Sequence, residues 1–295
     1  MTTVDTASSS ARVAVARPRR KVRWVSSTLV VVFSLIWIFP IYWMINTAFK
    51  GRSEILSSTP KFVPTHPTLD NFRVAVGQHG FLTNLRNSVV VVFGTLVVAI
   101  ILGFFAAAAL SRFRFRGRRT IMVGILIVQM LPGGAMLIPM FLIFNQIGWL
   151  DGGKSFIALI LTYVGAVLPF SIWVMRGFFV TIPAEIEEAA RLDGASTWQV
   201  ITKVLFPLVA PGVIATSVFA FIHAWNDYIV AYTYMKDQSR YTLPVWLASF
   251  YTPEGGVDYG GQMAASLLFS IPVVVFFVII QRKLVAGMSA GAVKG

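Results

Sequence analysis

The chain has 295 residues, of which 56% are hydrophobic and only 13% are charged. Because soluble domains usually carry about a quarter charged residues, this composition is typical of an integral membrane protein and argues against a soluble enzyme. Lysine and arginine outnumber aspartate and glutamate by 25 to 12, which gives a net charge of +13. The absence of cysteine excludes disulfide frameworks, thiolate catalysis and cysteine zinc sites. The three histidines, His66, His79 and His223, give no metal-ligand pair at helical spacing.

Six stretches longer than twenty residues contain no Asp, Glu, Lys or Arg: 24–49, 87–111, 120–150, 155–175, 204–226 and 259–281. A helix needs roughly 20 apolar residues to cross the hydrocarbon core of a bilayer, and a charge at its centre costs about 2.5–3.5 kcal/mol. The pattern therefore predicts an all-α polytopic membrane protein with six transmembrane helices. The third stretch has room for an extra turn or a short interfacial segment.

The basic residues predict the orientation of these spans. With the N-terminus inside, 17 of the 25 basic residues but only 5 of the 12 acidic residues lie on the inner side. Because short cytoplasmic loops of membrane proteins are enriched in Lys and Arg, we expect both termini to be cytoplasmic. The arginine-rich stretch 112–119 is then a topology signal, and this interpretation is favoured over a nucleic-acid-binding patch.

The predicted spans divide the chain into one membrane domain and two tails. We expect 1–23 to be a flexible basic cytoplasmic tail, 24–284 to be the six-span domain, and 285–295 to be a cytoplasmic C-terminal tail. The first apolar run is longer than the core of a signal peptide, which has about 7–15 residues, so 24–49 is interpreted as a retained span. Neither outer segment is long enough for a separate folded domain.

The inner segment 181–206, between the fourth and fifth spans, has the start and stop signals of two short helices. Pro183 suits the first turn of a helix, and Gly194 can end that helix because glycine accepts a positive φ. Ser196 and Gln199 have the spacing of a capping box for a second helix. The segment therefore predicts a helix–turn–helix hairpin held against the cytoplasmic face.

The first helix of this hairpin combines acidic and small side chains. Glu185, Glu187 and Glu188 lie near its N-terminal end, where the helix dipole favours negative charge. Ala189 and Ala190 leave a low surface that a partner can approach closely. From the residues alone, a protein-docking element and an ordinary surface hairpin explain this pattern equally well.

The segment 148–155 matches the phosphate-binding pattern G-x-x-x-x-G-K-[ST]. In nucleotide-binding proteins this pattern follows a β-strand and opens a soluble helix. Here both flanks are long apolar spans, and the predicted topology places the segment outside, away from cytoplasmic ATP. We interpret it as an accidental match in a glycine-rich turn.

The segment Glu188–Ala195, which reads EAARLDGA, resembles the EAA loop of ABC-type importer permeases, and the resemblance continues through Leu205–Pro207 and Pro211. Other segments are similar to the carbohydrate-uptake permeases, most of all to the second membrane subunit of maltose-type systems. These segments are Thr68–Phe72, Trp225–Asp227 and Ala290–Gly295.

In that family, the EAA hairpin docks in a cleft of a cytoplasmic ATPase subunit. The resemblance implies that Glu188 forms the ion pair, that Ala189 and Ala190 provide the close contact, and that Gly194 makes the turn. The implied docking set is Glu187, Glu188, Ala189, Ala190, Asp193, Gly194 and Ala195. The tail is implied to reach the ATPase pair through Ala290, Gly291, Val293 and Lys294, although a frayed terminus is the ordinary alternative.

The resemblance implies a permease subunit, not an enzyme, of an ATP-driven importer in the prokaryotic cytoplasmic membrane. Its implied partners are a second six-span permease, two ATP-binding subunits and an extracytoplasmic binding protein that delivers a sugar. ATP and Mg belong to the partner ATPase, so we expect no cofactor, metal or nucleic acid on this chain. A permease for a non-sugar solute and an ion-gradient-driven transporter are the alternatives, although the latter usually carries charges within its spans.

Sugars are held by aromatic stacking and by side chains that donate and accept hydrogen bonds. The candidate pathway residues in or near the spans are Gln129, Asn145, Gln146, Tyr163, Trp173, His223, Trp225, Asn226 and Tyr228. A polar group deep in a span should face protein or a water-filled cavity. Hydrogen bonding between helices explains each of these residues equally well.

Overall fold

The computed structural model describes residues 20–77, 80–252 and 256–292, and these are almost entirely helical. In chain order the elements are α1 (Arg20–Ala48), α2 (Arg52–Ile55), α3 (Asp70–Gly77), α4 (Phe81–Arg112), α5 (Arg118–Met130), α6 (Gly133–Gln146), α7 (Lys154–Thr181), α8 (Ala184–Leu192), α9 (Thr197–Gln199), a π-helical stretch (Val200–Leu205), α10 (Phe206–Asn226), α11 (Ile229–Tyr234), a 3-10 turn (Gln238–Arg240), α12 (Leu243–Ala248), the antiparallel strands β1 (Tyr251–Thr252) and β2 (Gly256–Val257), and α13 (Tyr259–Ala292).

Within the described residues, five helical stretches are long and apolar enough to cross a membrane. They are Ser27–Ala48, Phe81–Arg112, Lys154–Thr181, Thr197–Asn226 and Tyr259–Gln281. Each contains or closely matches one of the charge-free runs of the sequence. A charge-free run can enter lipid, and there a helix satisfies every backbone N–H and C=O within the segment. The prediction of an all-helical polytopic membrane protein is confirmed.

The third charge-free run, 120–150, which has room for an extra turn or a short interfacial segment, is broken in the structure. It forms α5 and α6, which meet at an angle of 98°. Leu131 and Pro132 both have extended backbone at the break, with ψ of 128° and 124°. Proline lacks an N–H and disfavours a helical conformation of the residue before it. The pair is either a broken span or a re-entrant element, and the count of six spans stays a prediction.

The centre of the fold is formed by α4, α7 and α10, which approach closely where their residues are small. A Cβ at Gly212 would lie 2.6 Å from the ring of Phe178 on α7. A Cβ at Gly103 would lie 3.3 Å from the Cβ of Ser171 on the same helix α7. The buried hydroxyl of Ser171 donates to the Val167 carbonyl of its own helix at 2.9 Å. Close contact between small residues stabilises helix packing in lipid, where apolar surface alone gives little driving force.

The connection between α10 and α13 is tied to the N-terminal part of α4 by buried and part-buried side-chain hydrogen bonds. The Asn87 amide donates to the carbonyls of Ser239 and Tyr241, both at 3.0 Å. The Ser88 hydroxyl accepts from the Leu243 N–H at 2.7 Å. Because these groups are shielded from water, the bonds hold the connection between α10 and α13 in one position on the fold.

The ends of the first and last helices differ from the predicted domain boundaries. Helix α1 begins at Arg20, within the expected N-terminal tail, and α13 continues through the first residues of the expected C-terminal tail to Ala292. The rest of the N-terminal tail, 1–19, lies outside the described residues. So do Val293 and Lys294, two of the four residues expected to contact the ATPase.

Candidate functional site

The predicted hairpin is present, and its turn is made by glycine. Helix α8 begins directly after Pro183, which is its N-cap. Gly194 has a φ of +86°, a conformation that costs little only for glycine. Its N–H donates to the Arg191 carbonyl, and the next N–H, of Ala195, donates to Ala190, both at 3.0 Å. These bonds satisfy carbonyls that the end of the helix would otherwise leave unpaired.

The second arm of the hairpin is continuous with the next membrane helix. Ser196 and Gln199 form the predicted capping box, in which each side chain accepts from the backbone N–H of the other. The expected separate short helix is only the first turn of a helical run, because α9 continues through the π-helical stretch into α10 without a break. The second arm of the hairpin and α10 therefore form one continuous helical run.

The hairpin is anchored on the fold by an ion pair and an aromatic contact. The Glu187 carboxylate pairs with the guanidinium of Arg112 at the end of α4, and both side chains are largely buried. Arg112 also donates to the Ile182 carbonyl at 3.2 Å. On the other arm, the Trp198 ring stacks on Phe105 of α4 with centroids 5.8 Å apart.

The seven expected docking residues divide into an inward and an outward set. Glu187 is only 12% exposed at its side chain, and Ala190 and Ala195 pack against a buried cluster formed by Phe104, Met175, Phe179, Leu205 and Val209 together with their neighbours. Glu188, Ala189, Asp193 and Gly194 are exposed. The outward set is thus the part of the hairpin that a partner can contact.

The outward face also includes a residue that the sequence reading missed. Leu192 is 89% exposed and lies three positions after Ala189, on the same side of α8. A signal for it was available, because an apolar residue in phase with exposed Glu185 and Glu188 cannot face the core of an amphipathic helix.

A second candidate surface is an aromatic and polar stripe on α10, defined by Phe219, His223 and Asn226. These residues recur at helical spacing, and all three are exposed. The His223 ring stacks near Phe219 at 6.4 Å between centroids and meets the edge of Tyr163 on α7 at 5.8 Å. Phe219 in turn contacts Phe170 of α7 at 4.3 Å. Sequence reasoning found His223, Asn226 and Tyr163 but missed the two phenylalanines, although i, i+4 spacing relates Phe219 to His223.

Trp225, an expected pathway residue, belongs to the core. It is 2% exposed, and its ring lies 5.5 Å from Phe221 and 5.6 Å from Phe269. Because positions two apart point to opposite sides of a helix, His223 and Trp225 cannot face the same surface. Trp225 therefore does not share the surface of His223, and its place in a pathway stays a prediction.

The matching family model is described as "Binding-protein-dependent transport system inner membrane component", and it covers residues 99–290. That range is more than half of the chain and includes both the hairpin and the α10 stripe. The chain belongs to this family. It is accordingly a multi-pass transport component of the inner membrane and not an enzyme.

Full-length relatives and a solved structure agree with this assignment. The permease is 40% identical to the diacetylchitobiose uptake system permease protein DasC of Streptomyces coelicolor, over 92% of this chain and 97% of the relative. It is 36% identical to the trehalose transport system permease protein SugB of Mycobacterium tuberculosis, over 94% and 99%. A chain of a bacterial ABC transporter that imports alginate has the same fold, with a TM-score of 0.78 and 24% identity, covering 90% of this chain and 98% of that chain.

In this permease a half-buried carboxylate, that of Asp227, directly follows the C-terminal end of the stripe. It accepts the backbone N–H of Val230 at 3.1 and 3.3 Å through its two oxygens. Burial raises the pKa of Asp227, and the Val230 N–H and the nearby His223 oppose that rise. Beyond it, the exposed rings of Tyr228 and Tyr232 stack at 5.4 Å, so the aromatic surface continues past the end of α10.

The remaining pathway candidates of the permease lie away from the stripe. Gln129 is exposed on α5 and Trp173 on α7. Asn145 and Gln146 are exposed at the end of α6, where the Asn145 carbonyl oxygen accepts from Lys236 at 3.4 Å. The structure therefore places Asn226 on the same stripe as His223 and brings the edge of Tyr163, which is itself buried, against the His223 ring. These four residues lie outside the stripe.

The phosphate-loop match of the permease lies between two helices, as the sequence indicated. Helix α6 precedes it and α7 begins at Lys154. The Ser155 hydroxyl is fully buried and donates to the Gly152 carbonyl at 2.9 Å. This hydroxyl closes a turn and is not positioned to bind a metal-bound phosphate.

Proposed function

We propose that the chain is a permease subunit of an ATP-driven ABC importer that carries a sugar or oligosaccharide. An extracytoplasmic binding protein delivers the substrate, and a second permease completes the pathway. The relatives named for diacetylchitobiose and trehalose uptake support a carbohydrate substrate. Both termini are cytoplasmic in this proposal, and α5 with α6 counts as one broken span, because the basic residues of the chain are concentrated on that side.

The continuity of the hairpin with α10 carries this proposal. The hairpin lies at one end of a helical run over Thr197–Asn226, and the stripe residues His223 and Asn226 lie at the other end. An ATPase subunit that binds the hairpin and displaces it would therefore also move the stripe, because no break in the helical run separates the two. The π-helical stretch Val200–Leu205 lies between the hairpin and α10. Such stretches within helices commonly mark functional sites.

The motor is a pair of cytoplasmic ATPase subunits, which hold the ATP and Mg. Their cleft receives the outward set Glu188, Ala189, Asp193 and Gly194 together with Leu192, which would become buried on docking. Glu187, Ala190 and Ala195 instead keep the hairpin on its own chain. The contact of Ala290, Gly291, Val293 and Lys294 with the ATPase pair is retained on the family resemblance.

The pathway lies along the stripe, between this chain and the second permease. Sugar rings have apolar faces and hydroxyl edges, so they suit a surface that alternates aromatic rings with hydrogen-bonding groups. Phe219 and Tyr228 offer rings, while His223 offers both a donor and an acceptor. The Asn226 amide donates to the Ile222 carbonyl at 3.0 Å, which leaves its carbonyl oxygen free to accept from a sugar hydroxyl.

The test reverses a charge on the outward face. Glu188→Lys should reduce uptake of diacetylchitobiose, trehalose or maltose, whichever the wild-type system imports, to less than about a tenth. The physical reason is that a lysine at the centre of the docking face would be left unpaired in a desolvated contact. Uptake in cells and ATP hydrolysis by the purified complex are the measurements.

Glu185→Lys is the matched control, because it makes the same charge change on the same helix outside the docking set. It should keep most of the uptake. Normal uptake by Glu188→Lys, in membranes that contain normal amounts of the chain and its partners, would refute the docking role. If the complex imported a non-sugar solute in a Glu188-dependent way and took up none of a panel of sugars, only the proposed substrate class would be overturned.

A further inference from the structure

A basic pocket outside the proposed pathway and docking face lies between α5 and α7, near the hairpin. It has a volume of about 530 Å³ and is open to the surface. Its basic lining residues are Arg118, Arg119 and Arg176, and its apolar lining includes Val123, Leu126 and Trp173. Neither the coupling hairpin nor the α10 stripe uses these side chains.

The three guanidiniums are available to an anion. None of them has a carboxylate within 4.0 Å among the residues that the structure describes, whereas nearby Arg112 is neutralised by Glu187. The Nε of Arg176 is buried and has no hydrogen-bond partner within the described part of the chain. A buried guanidinium N–H without an acceptor is costly, so an acceptor from outside the chain would stabilise it.

The two linings are separated along the helix axes. Helix α5 begins at Arg118, at the surface formed by the basic loop, and α7 approaches the same surface with its C-terminal end at Thr181, since Arg112 donates to the Ile182 carbonyl. Arg176 therefore lies nearer that surface than Trp173, and Arg119 lies nearer than Leu126 by about 10 Å of helix. The charged lining is thus at the loop surface, and the apolar lining extends toward the bilayer interior.

We propose that this pocket binds an anionic phospholipid, with the headgroup phosphate on the arginines and an acyl chain along Val123, Leu126 and Trp173. Guanidinium groups pair with phosphate oxygens through two hydrogen bonds, and basic pockets between membrane helices on the cytoplasmic side are suited to anionic headgroups. A free anion or a nucleotide would leave the apolar lining uncovered. The arginines of stretch 112–119 would serve as a topology signal wherever they lay on the loop. That role does not require a pocket whose basic lining adjoins an apolar one.

The test compares two double variants in the complete complex, reconstituted in phosphatidylcholine nanodiscs. Arg119→Gln with Arg176→Gln removes two charges from the pocket. Arg114→Gln with Arg116→Gln removes two charges from the same loop, at positions that do not line the pocket. Phosphatidylglycerol bound to each complex is measured by native mass spectrometry, and the pocket variant should bind it about 30-fold more weakly than wild type. The loop variant should bind nearly as wild type does.

A second measurement does not depend on the arginine variants folding. Phosphatidylglycerol with brominated acyl chains should quench the fluorescence of wild-type complex more than brominated phosphatidylcholine does, and Trp173→Phe should remove that difference. Equal binding by the two double variants, or equal quenching by the two lipids, would overturn the proposal. So would displacement of the lipid by millimolar inorganic phosphate, which would indicate a site for free anions, or a cross-link from Met122→Cys to the second permease, which would show that protein covers the pocket.

Discussion

At the scale of single residues, Asp227 shows how position decides the behaviour of a charge. It is the first acidic residue after a long apolar helix, it is half-buried, and its carboxylate accepts the Val230 N–H in the first turn of the short helix α11. Burial raises its pKa, whereas the pKa of fully exposed Asp237 is lowered because its carboxylate accepts the Ser239 N–H. Both aspartates lie in the connection between α10 and α13, but removing their charges should change the stability of the folded protein in opposite directions at neutral pH.

Asp227→Asn is expected to stabilise the protein at neutral pH. The asparagine keeps an acceptor for Val230 and removes the penalty of burying a carboxylate. Since the folded-state pKa of Asp227 is raised, that penalty is complete above the folded-state pKa and absent below the unfolded-state pKa of about 3.9. The gain in unfolding temperature of the detergent-solubilised chain should therefore shrink as the pH falls.

Asp237→Asn is the control of opposite sign. Its charged form is stabilised in the folded protein, so the variant should lose stability at neutral pH, and the loss should vanish below the folded-state pKa. Parallel pH profiles for the two variants would contradict the assignment of these environments.

At the scale of elements, the hairpin is a rigid attachment and not a free loop. Its first arm is fixed to α4 by the Glu187–Arg112 pair, and its second arm by the stacking of Trp198 on Phe105. The broken pair α5 and α6 shows the contrary case, in which Leu131 and Pro132 leave the helical conformation and the chain changes direction by 98°. Proline alone does not decide this outcome, because Pro169 and Pro211 lie inside α7 and α10.

Arg112→Gln is expected to loosen the hairpin. It leaves the largely buried Glu187 carboxylate without its counter-ion, which should lower the free energy of opening α8 by on the order of 1–3 kcal/mol. Hydrogen exchange of the α8 amides measures this opening. Exchange should be faster than in wild type for Arg112→Gln. It should be unchanged for Arg114→Gln, because Arg114 is exposed on the loop between α4 and α5.

The reversed pair, Arg112→Glu with Glu187→Arg, should recover part of the protection. The recovery is partial because Arg112 also donates to the Ile182 carbonyl. If exchange in α8 were the same in all of these proteins, the ion pair would have no role in anchoring the hairpin.

At the scale of the whole molecule, the proposed machine depends on the hairpin and the outer segments lying on opposite sides of the membrane. The chain has no cysteine, so single cysteine substitutions report the position of one residue at a time. Leu192 is 89% exposed on the outward face of the hairpin, and Leu56 is 67% exposed in the connection between α1 and α4, which the proposal places outside the cell. Ala190 packs inward against the hairpin-side cluster of Phe104, Met175 and their neighbours.

Leu192→Cys is expected to cross-link to a cytoplasmic ATPase subunit in intact membranes. Ala190→Cys should cross-link weakly, because its side chain faces the chain's own core. Leu56→Cys should give no cross-link to that subunit and should react with a membrane-impermeant thiol reagent added from outside. Immunoblots of the cross-linked subunits measure all three, and a cross-link from Leu56→Cys to the ATPase would reverse the proposed orientation.

The sequence by itself determined the membrane class, the positions of most spans, and the start, turn and capping box of the hairpin. These features depend on local composition, or on residues within one or two helical turns such as Ser196 and Gln199. Only the tertiary structure decided that Glu187, Ala190 and Ala195 face inward, that Trp225 is buried, and that His223 lies beside Tyr163 and Phe219. The physical reason is that the exposed side of a helix depends on its neighbours, and the chain positions that meet are distant: Arg112 contacts the Ile182 carbonyl from 70 positions away.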